Sequence, residues 1–318
     1  MASVSSSLAS KLTSFSKCNF LSSSDLNSSQ ILSLFELAKQ LKTGNRRIDL
    51  GNRVLGLIFK KASTRTRVSF QVAMARLGGQ TVDLNPQITQ LDRGEPIKDT
   101  ARVLSRYCDA LAIRTFSQQE IEEYGEWSTI PVINALTDLE HPCQALADYL
   151  TIQEKFGELK GINLSYIGDG NNVANSLMMC GAMLGVNVQI CSPEGFNADS
   201  QIVEKAKSLS EFGSKISISN DPLKAVKEAQ VIYTDVWASM GQEEEHMKRQ
   251  KIFENYKVDQ KLIGLADKEA IILHCLPAHR GEEITEEALE SQSSNVFDQA
   301  ENRLHVQQAL LAVQLGGI

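Results

Sequence analysis

Five consecutive side chains ahead of a predicted helix are well suited to binding an anion. Ser63, Thr64 and Thr66 offer hydroxyl donors, while Arg65 and Arg67 offer forked cations that match phosphate oxygens. They follow an uninterrupted apolar segment of strand length and precede apolar residues at helical spacing. The amino end of a helix directs free N–H groups and a positive dipole towards an anion. The pattern therefore predicts a phosphate-binding turn.

The same five residues also have a plainer interpretation. A Ser or Thr before a helix is usually an N-cap, and an isolated Arg is usually a solvated surface charge. Taken singly, each residue fits that description. Their combination directly after the apolar segment at 54–59 favours the anion site, because ligands bind outside the carboxyl ends of buried parallel strands.

Other polar or reactive side chains also follow predicted strands. Arg114 ends one strand, and His141 and Gln144 lie three apart at the amino end of a predicted helix, hence on one face. Asp235 follows another strand and could be a turn former or the partner of a ligand's ammonium group. Cys275 follows the last strand and is either a small core residue or, as the weaker alternative, a nucleophile.

A Gly-Asp-Gly-Asn-Asn sequence at 168–172 invites a dinucleotide-binding interpretation. That interpretation fails, because Val173 occupies the position of the third glycine and no acid ends the next strand at Cys191. The amides suit the carboxylate of a small ligand. The alternative is a plain turn in which an Asn caps the next helix.

Strands and helices alternate on both sides of residue 145, which predicts two α/β lobes. Strands are expected at 54–59, 80–84, 110–113, 131–134, 162–167, 187–191, 215–219, 231–234 and 271–273. Helices are expected near 31–41, 99–107, 142–156 and 299–315, and a long polar loop at 85–97.

Length and composition narrow the class of protein. A chain of 318 residues favours two domains, and a formal charge of -7 with a pI near 5.4 argues against nucleic acid or an anionic membrane as the main partner. No apolar segment is long enough to span a bilayer. The six cysteines show no Cys-x-x-Cys spacing, which indicates a reducing compartment and neither a zinc site nor a disulfide scaffold.

The amino terminus is rich in Ser and lacks acidic residues over 1–17. It has some features of an organelle transit peptide, but it is short and contains no Arg. We therefore expect a cytoplasmic protein with a disordered tail, and a plastid location is the alternative.

Four motifs together resemble the ornithine carbamoyltransferases of the aspartate/ornithine carbamoyltransferase superfamily. They are Ser-Thr-Arg-Thr-Arg at 63–67, His-Pro-Cys-Gln at 141–144, Asp-Val-Trp-Ala-Ser-Met-Gly at 235–241 and His-Cys-Leu-Pro at 274–277. The first two resemble transcarbamylases generally, and the last two are of the ornithine type. The resemblance extends from about residue 20 to the end of the chain.

The resemblance implies two doubly wound parallel-sheet α/β domains with the active site in the cleft between them. The disordered tail would occupy 1–18 and the carbamoyl-phosphate-binding domain 19–145, with a C-terminal helix at 299–318 returning to it. The ornithine-binding domain would occupy 146–298.

Site residues are also implied by the resemblance. Carbamoyl phosphate would be bound by Ser63, Thr64, Arg65, Thr66, Gln90, Arg114, His141, Gln144, Cys275, Leu276 and Arg303. Ornithine would be bound by Asn172, Asp235, Ser239 and Met240. The catalytic residues among them would be Arg65, Thr66, Arg114, His141 and Cys275. Gln90 matches a position that reaches a neighbouring subunit's site in relatives, which implies a homotrimer.

The implied reaction moves the carbamoyl group of carbamoyl phosphate to the side-chain amine of L-ornithine, giving L-citrulline and phosphate for arginine biosynthesis. It would need no metal and no organic cofactor. Attack of a neutral amine on a carbonyl builds negative charge on the carbonyl oxygen, so the site needs preorganised donors rather than a covalent group. The residue that deprotonates the amine is left open.

Two alternatives remain at this point. Another amine, such as putrescine or acetylornithine, could be the acceptor, although Asn172 and Asp235 argue against putrescine, which has neither a carboxylate nor an α-ammonium group. A non-enzymatic regulator that binds an anion or a nucleotide on the same scaffold is the alternative from a different class.

Overall fold

A computed structural model describes residues 10–85, 94–238 and 246–318. The chain forms two compact units. One comprises Met1–Ala147 with Glu301–Ile318, and the other comprises Asp148–Ala300. Among the described residues, none of the helices combines the length and the apolar character that crossing a membrane requires.

The first unit contains a sheet of four parallel strands in the order β2-β1-β3-β4. The strands are β1 (Val54–Phe59), β2 (Gln80–Leu84), β3 (Ala110–Arg114) and β4 (Val132–Leu136). Its helices are α1 (Ser28–Lys42), α2 (Thr64–Arg76), α3 (Ile97–Leu104) and α4 (Gln118–Trp127). Helix α5 (Pro142–Phe156) begins in this unit and continues into the second.

Strand β1 is buried on both faces because its side chains are almost all apolar. Leu55, Leu57 and Ile58 are fully buried. Gly56 completes the strand where neighbours approach closely, since a Cβ there would lie 2.8 Å from the side chain of Leu111. A larger side chain at this position would therefore push β1 and β3 apart.

The chain reverses its direction of winding between β1 and β3. It moves from β1 to β2 on one side, and from β3 to β4 on the other. Phe59 at the end of β1 is paired with Arg114 at the end of β3, and the N–H of Lys60 donates to the carbonyl of Arg114 at 2.9 Å. Ligands bind at such switch points in open α/β sheets.

The amino-terminal segment is ordered from residue 10, whereas we expected disorder through residue 18. Residues 10–13 form a helical turn, Leu12 and Phe15 are buried, and Phe15 packs edge-on against Phe20 with 6.1 Å between ring centroids. Disorder through residue 18 was therefore a wrong expectation for 10–18, because a few apolar side chains anchor a stretch that is otherwise rich in Ser. Residues 1–9 of the expected tail lie outside the described residues.

The second unit contains a sheet of five parallel strands in the order β7-β6-β5-β8-β9. The strands are β5 (Asn163–Ile167), β6 (Asn187–Cys191), β7 (Ile216–Ser219), β8 (Val231–Thr234) and β9 (Ile271–His274). The helices are α6 (Asn172–Leu184), α7 (Ser200–Ser208), α8 (Pro222–Ala225), α9 (His246–Phe253), α10 (Gln260–Ile263) and α11 (Glu286–Leu289), and α12 (Val296–Gln314) returns to the first unit.

The winding of the second sheet reverses between β5 and β8. Strand β5 leads through Gly168 into the turn before α6, and β8 leads into Asp235. Helix α6 is capped by Asn171 at its amino end and by Gly185 in a left-handed conformation, with φ 77°, at its carboxyl end. The prediction of two α/β units with doubly wound parallel sheets is confirmed.

Helix boundaries were predicted less accurately than strands. The helix expected at 99–107 spans Ile97–Leu104, and the one expected at 299–315 spans Val296–Gln314. Helix α4 was not predicted, because its sequence is mostly polar and only Ile121 and Tyr124 are buried in it.

Candidate active site

The turn between β1 and α2 carries the N-cap of the helix. Ser63 is the N-cap of α2, and its Oγ accepts a hydrogen bond from the N–H of Thr66 at 3.3 Å. Thr66 is buried, whereas Thr64 and Arg65 are exposed. Because the first turn of a helix has N–H groups without partners inside the helix, the turn can present donors to an anion. The N-cap interpretation and the anion-site interpretation of Ser63 are therefore compatible.

Arg67 contacts two side chains of the first sheet. Its guanidinium group pairs with Asp83 on β2 and lies over the ring of Phe59, with 4.7 Å from Cζ to the ring centroid. We expected Arg67 in the phosphate-binding turn, and the described contacts of its guanidinium group are instead with Asp83 and Phe59. The cause is the parallel pairing of β1 with β2, which brings an acid next to the helix that carries Arg67.

Arg303 joins three segments of the first unit through its guanidinium group. Nη1 donates to Gln144 Oε1 at 2.5 Å, and Nη2 donates to Thr66 Oγ1 at 2.8 Å. The three residues are only 4%, 1% and 1% exposed, respectively. Because an arginine stays protonated even when it is buried, the arrangement fixes a positive charge beside Thr66.

His141 lies at the start of α5 and is 5% exposed. Its carbonyl accepts the N–H groups of Gln144 and Ala145 at 3.0 and 3.2 Å, which fixes the residue relative to the helix. Burial lowers the pKa of His141 well below its usual value, and the charges of Arg303 and Arg114 lower it further. The imidazole is therefore neutral at physiological pH, with one nitrogen that donates and one that accepts.

Cys143 stands beside these residues in the sequence but is chemically quiet. Burial raises the pKa of its thiol to about 12, although the charge of Arg303 opposes the shift. The thiol donates to the carbonyl of Asn134 at 3.4 Å. Cys143 therefore acts as a packed side chain.

We call Ser63, Thr66, Arg114, His141, Gln144 and Arg303 the first-unit cluster. It combines two guanidinium groups, two hydroxyls, an amide and a neutral imidazole, and every one of these can donate a hydrogen bond. Such a set fits a phosphate group and the oxygen of a polarised carbonyl. The chemistry that it can support is transfer of an acyl-type group from phosphate.

The second-unit cluster comprises Asn171, Asp235 and Cys275. Asn171 Nδ2 donates to Asp235 Oδ2 at 2.9 Å, and Cys275 Sγ donates to Asp235 Oδ1 at 2.9 Å. Asp235 is 6% exposed and also accepts the N–H of Val236 at 2.8 Å. A carboxylate held in this way at a sheet switch point can bind an ammonium group of a small ligand.

Asn171 is a residue that the sequence interpretation missed as a site component. Its Oδ1 accepts the N–H groups of Val173 and Ala174 at 2.9 and 3.2 Å, so it caps α6, and this leaves Nδ2 to donate to Asp235. The predicted site residue Asn172 is the first residue of α6 and is half-buried. The sequence showed that an Asn could cap α6, but it did not show that Asn171 Nδ2 would donate to Asp235.

Two stacked tyrosines lie close enough to Asp235 to feel its charge. The rings of Tyr166 and Tyr233 lie 5.8 Å apart, and Tyr166 Oη donates to Asn171 Oδ1 at 3.3 Å. Burial raises the pKa of both phenols well above their usual value, and the charge of Asp235 raises it further. Both phenols are therefore neutral, and Tyr166 donates to the second-unit cluster while Tyr233 Oη accepts from Gln299 Nε2 at 3.1 Å.

His274 positions the loop after β9. Its Nδ1 accepts the N–H of Leu276 at 2.8 Å, so its Nε2 carries the proton and donates to Glu283 Oε1 at 3.1 Å. Glu283 Oε1 also accepts the N–H of His279 at 2.6 Å. Because both ring nitrogens are engaged, His274 has no lone pair for Cys275, and the nucleophile interpretation of Cys275 gains no support.

Arg249 links two other parts of the second unit. It donates to Asp169 Oδ2 at 2.6 Å and to the carbonyl of Trp237 at 2.7 Å. Burial raises the pKa of Asp169, while the hydrogen bond and the charge of Arg249 lower it. The sequence offered no signal for this pair.

Gln90, Ser239 and Met240 lie outside the described residues. Leu276 follows Cys275 in the loop after β9 and has a left-handed backbone, with φ 55°.

Two groups of side chains bring metal-ligand atoms close together among the described residues, namely Asp235, His274 and Cys275, and His279, Glu282 and Glu283. In the first group, His274 is already engaged by Leu276 and Glu283. A metal ion there would have to displace a buried hydrogen bond. The absence of a metal in the reaction stays a prediction.

Two α/β units with parallel sheets, each with polar side chains at a sheet switch point, are typical of enzymes that act on small ligands. Residues 18–154 match the family model for the carbamoyl-P binding domain of aspartate/ornithine carbamoyltransferase. Residues 160–314 match the model for the Asp/Orn binding domain of the same family. The chain belongs to the aspartate/ornithine carbamoyltransferase family, which confirms the resemblance found in the sequence.

Curated relatives and solved structures agree with this assignment. The chain is 70% identical over 300 residues to an ornithine carbamoyltransferase of Prochlorococcus marinus, which covers 94% of each chain. It is 62% identical over 318 residues to one of Parasynechococcus marenigrum, which covers 100% of both. The structure of ornithine carbamoyltransferase from Pyrococcus furiosus has a TM-score of 0.92 at 49% identity, covering 95% of this chain and 98% of that one.

Proposed function

We propose that this protein transfers the carbamoyl group of carbamoyl phosphate to the side-chain amine of L-ornithine, giving L-citrulline and phosphate, as a step of arginine biosynthesis. The observation that carries the proposal is the full-length identity of 62% to a curated ornithine carbamoyltransferase. The first-unit and second-unit clusters supply the donor and carboxylate chemistry that this reaction requires.

On the donor side, the turn before α2 is proposed to hold the phosphate. Ser63, Thr64, Arg65 and Thr66 offer hydroxyl, guanidinium and helix N–H donors, and Thr64 and Arg65 are exposed for contact with a ligand. As phosphate leaves, negative charge builds on its bridging oxygen. The guanidinium group of Arg65 therefore stabilises the transition state more than the bound substrate.

Arg114, His141 and Thr66 are proposed to donate to the carbamoyl oxygen. Neutral His141 can donate a hydrogen bond to the carbamoyl oxygen as negative charge builds there. It carries no positive charge that would bind the substrate as tightly as the transition state. Gln144 and Arg303 hold Thr66 in place and extend the anion-binding surface. Removing one preorganised donor of this kind typically costs about 100-fold to 1000-fold in rate.

On the acceptor side, Asp235 is proposed to bind the α-ammonium group of ornithine, with Cys275 beside the reacting amine. The 2.9 Å contact between Cys275 Sγ and Asp235 Oδ1 supports a shared location for the two side chains. Asn172, Ser239 and Met240 are proposed to complete ornithine binding, and Leu276 and Cys275 to contact the carbamoyl group. The neutral amine attacks the carbonyl carbon, a C–N bond forms, the C–O bond to phosphate breaks, and the proton that the attacking nitrogen loses leaves with the phosphate.

Several sequence predictions remain proposals. The domains at 19–145 and 146–298 are proposed to bind carbamoyl phosphate and ornithine, respectively, which the descriptions of the matched family models support. A homotrimer in which Gln90 reaches a neighbouring subunit's site is proposed from the family resemblance. A cytoplasmic location is proposed, with a plastid as the alternative.

An acceptor panel tests the substrate. Purified protein with carbamoyl phosphate is offered L-ornithine, putrescine, N-acetylornithine and L-aspartate, and carbamoylated products are quantified. Ornithine alone is expected to give rapid product, because putrescine lacks the α-ammonium and carboxylate groups, and acetylation removes the charge that Asp235 binds. Equal turnover of putrescine would reject the role of Asp235. Tight NAD binding without any turnover would favour the regulator alternative.

A further inference from the structure

The segment at 20–25, ahead of α1, first pairs with β4 and then contacts Glu140, the residue before His141. Phe20 donates its N–H to the carbonyl of Val132 at 2.8 Å and accepts the N–H of Asn134 at 2.7 Å, so it pairs with the edge of the first sheet. Residues Ser23–Asp25 then form a single 3-10 turn with Ser22 as its N-cap. The segment thus reaches the same end of β4 from which the chain turns into α5.

Glu140 connects this segment to the turn before α5. Its Oε1 accepts the hydroxyl of Ser22 at 2.6 Å, and its Oε2 accepts the N–H of Ser23 at 2.8 Å. Glu140 is only 1% exposed. Burial of a carboxylate is costly unless it accepts good hydrogen bonds, so a buried carboxylate with both oxygens engaged is a strong constraint on the chain that carries it.

The backbone of Glu140 is held as well. Its N–H donates to Thr137 Oγ1 at 3.2 Å, and its carbonyl accepts the N–H of Thr137 at 2.9 Å. Thr137 Oγ1 in turn donates to Gln118 Oε1 at 2.8 Å. The residue directly before His141 is therefore fixed through its side chain, its N–H and its carbonyl.

We infer that Glu140 is a positioning residue, which sets the location of the His141 imidazole by fastening the turn before α5 to the segment at 22–25. The carbonyl of His141 is held by N–H groups of α5, and its amino side is held by Glu140. The orientation of the Cα–Cβ bond of His141 therefore depends on both. A misplacement of about 1 Å can lower a catalysed rate by roughly 100-fold. This inference rests on the proposed role of His141 as a donor to the carbamoyl oxygen.

Three variants test the inference. Glu140→Ala removes both hydrogen bonds, and Glu140→Gln keeps both, because an amide oxygen can accept the Ser23 N–H while its NH2 group donates to Ser22 Oγ. Asn27→Ala is the matched control. Asn27 is the N-cap of α1, and its Oδ1 accepts the N–H of Gln30 at 2.9 Å. The replacement therefore removes a cap from the same part of the chain without removing a hydrogen bond of Glu140.

The expected result is a split between kcat and binding. Glu140→Ala should lower kcat by about 10-fold to 100-fold. The affinity for inorganic phosphate, titrated calorimetrically, should stay within about twofold because the turn at Ser63 is untouched. Glu140→Gln should recover most of the lost kcat. Asn27→Ala should leave kcat near the wild-type value while lowering the melting temperature.

Two outcomes would overturn the inference. One is a wild-type kcat in folded Glu140→Ala, and the other is a loss of kcat in Glu140→Ala no greater than in Asn27→Ala. Should Glu140→Ala fail to fold, Ser22→Ala removes one of the two bonds and keeps the carboxylate. A smaller kcat loss in that variant, again without loss of phosphate affinity, is the supporting result, and an unchanged kcat contradicts it.

A spectroscopic readout separates this inference from the proposed function. The chain has five histidines, so the imidazole signals can be assigned by NMR with His141→Gln as the reference. Glu140→Ala should shift and broaden the signal of His141 and leave those of distant histidines in place. Absence of citrulline formation by the wild-type protein would reject the proposed function, whereas an unchanged His141 signal would reject the positioning role alone.

Discussion

Arg303 illustrates how single residues organise the first unit. Its guanidinium group contacts Thr66 and Gln144, which lie 237 and 159 positions away in the sequence. Spacing along the chain cannot reveal such a contact, and it was only the family resemblance that marked Arg303 as a site residue. The same holds for Asn171 and Asn172, where the sequence shows two adjacent amides but not which of them contacts Asp235.

Replacement of Arg303 tests whether the fork or merely the charge matters. Arg303→Lys keeps a positive charge but can no longer donate to Gln144 and Thr66 in one plane, so kcat/KM for carbamoyl phosphate should fall by about 10-fold to 100-fold. Steady-state kinetics with saturating ornithine measure this. Arg106→Lys, at an exposed position, is the control and should behave as wild type. Normal kinetics in folded Arg303→Lys would remove the fork from the account.

Asp235 has a separate test on the acceptor side. Asp235→Asn keeps the size of the side chain and most hydrogen bonds but removes the charge that binds an α-ammonium group. The KM for ornithine should rise by about 10-fold or more, while the KM for carbamoyl phosphate changes little. Asp267→Asn, an exposed acid in the same unit, should leave both values unchanged. Unaltered ornithine dependence of Asp235→Asn would refute the assignment.

At the scale of elements, strands were more predictable than helices. Strands β1, β2, β6 and β8 occupy the expected residues. Strands β1 and β8 are the short, nearly continuous apolar segments that buried parallel strands require, whereas the side chains of β2 are exposed or half-buried. Helix α4 was missed because tertiary contacts of two side chains, rather than a long apolar face, hold it in place. The ion pair of Arg67 with Asp83 was not predicted, because Asp83 lies on a neighbouring strand.

Helix caps and ligand contacts overlap in this fold, and Asn171 allows the two to be separated. Asn171→Ala removes both the cap of α6 and the donor to Asp235, so it should cost about 1 kcal/mol of folding stability and also raise the KM for ornithine. Asp199 caps α7 through the N–H of Gln201 at 2.7 Å. Asp199→Ala should cost a similar stability in urea unfolding with no change in KM. Equal KM values in the two variants would contradict the second role of Asn171.

At the scale of the whole molecule, two buried histidines link stability to pH. Burial lowers the pKa of His141 and of His305 below the usual 6.5, although Glu301 opposes the shift at His305. Below pH 6.5 the unfolded chain binds protons that the folded chain does not, so folding stability is complete above pH 6.5 and decreases as the pH falls below it. Each histidine can contribute a slope of up to about 1.4 kcal/mol per pH unit.

Urea unfolding between pH 5 and pH 7.5 measures that dependence. Stability should fall towards pH 5, and His141→Gln should show a shallower slope than the wild type because one of the two groups is gone. His279→Gln, at an exposed position, is the control and should retain the wild-type slope. A His141→Gln slope equal to that of the wild type would show that His141 titrates normally in the folded protein.

The fate of the bridging oxygen of carbamoyl phosphate tests the central claim most directly, because that claim is attack by the ornithine amine on the carbamoyl carbon with departure of phosphate. Carbamoyl phosphate labelled with heavy oxygen at the bridging position is mixed with ornithine and the wild-type protein, and both products are analysed by mass spectrometry. We expect one citrulline per phosphate, with the label in phosphate. Phosphate released without citrulline, or phosphate that lacks the label, would contradict the account.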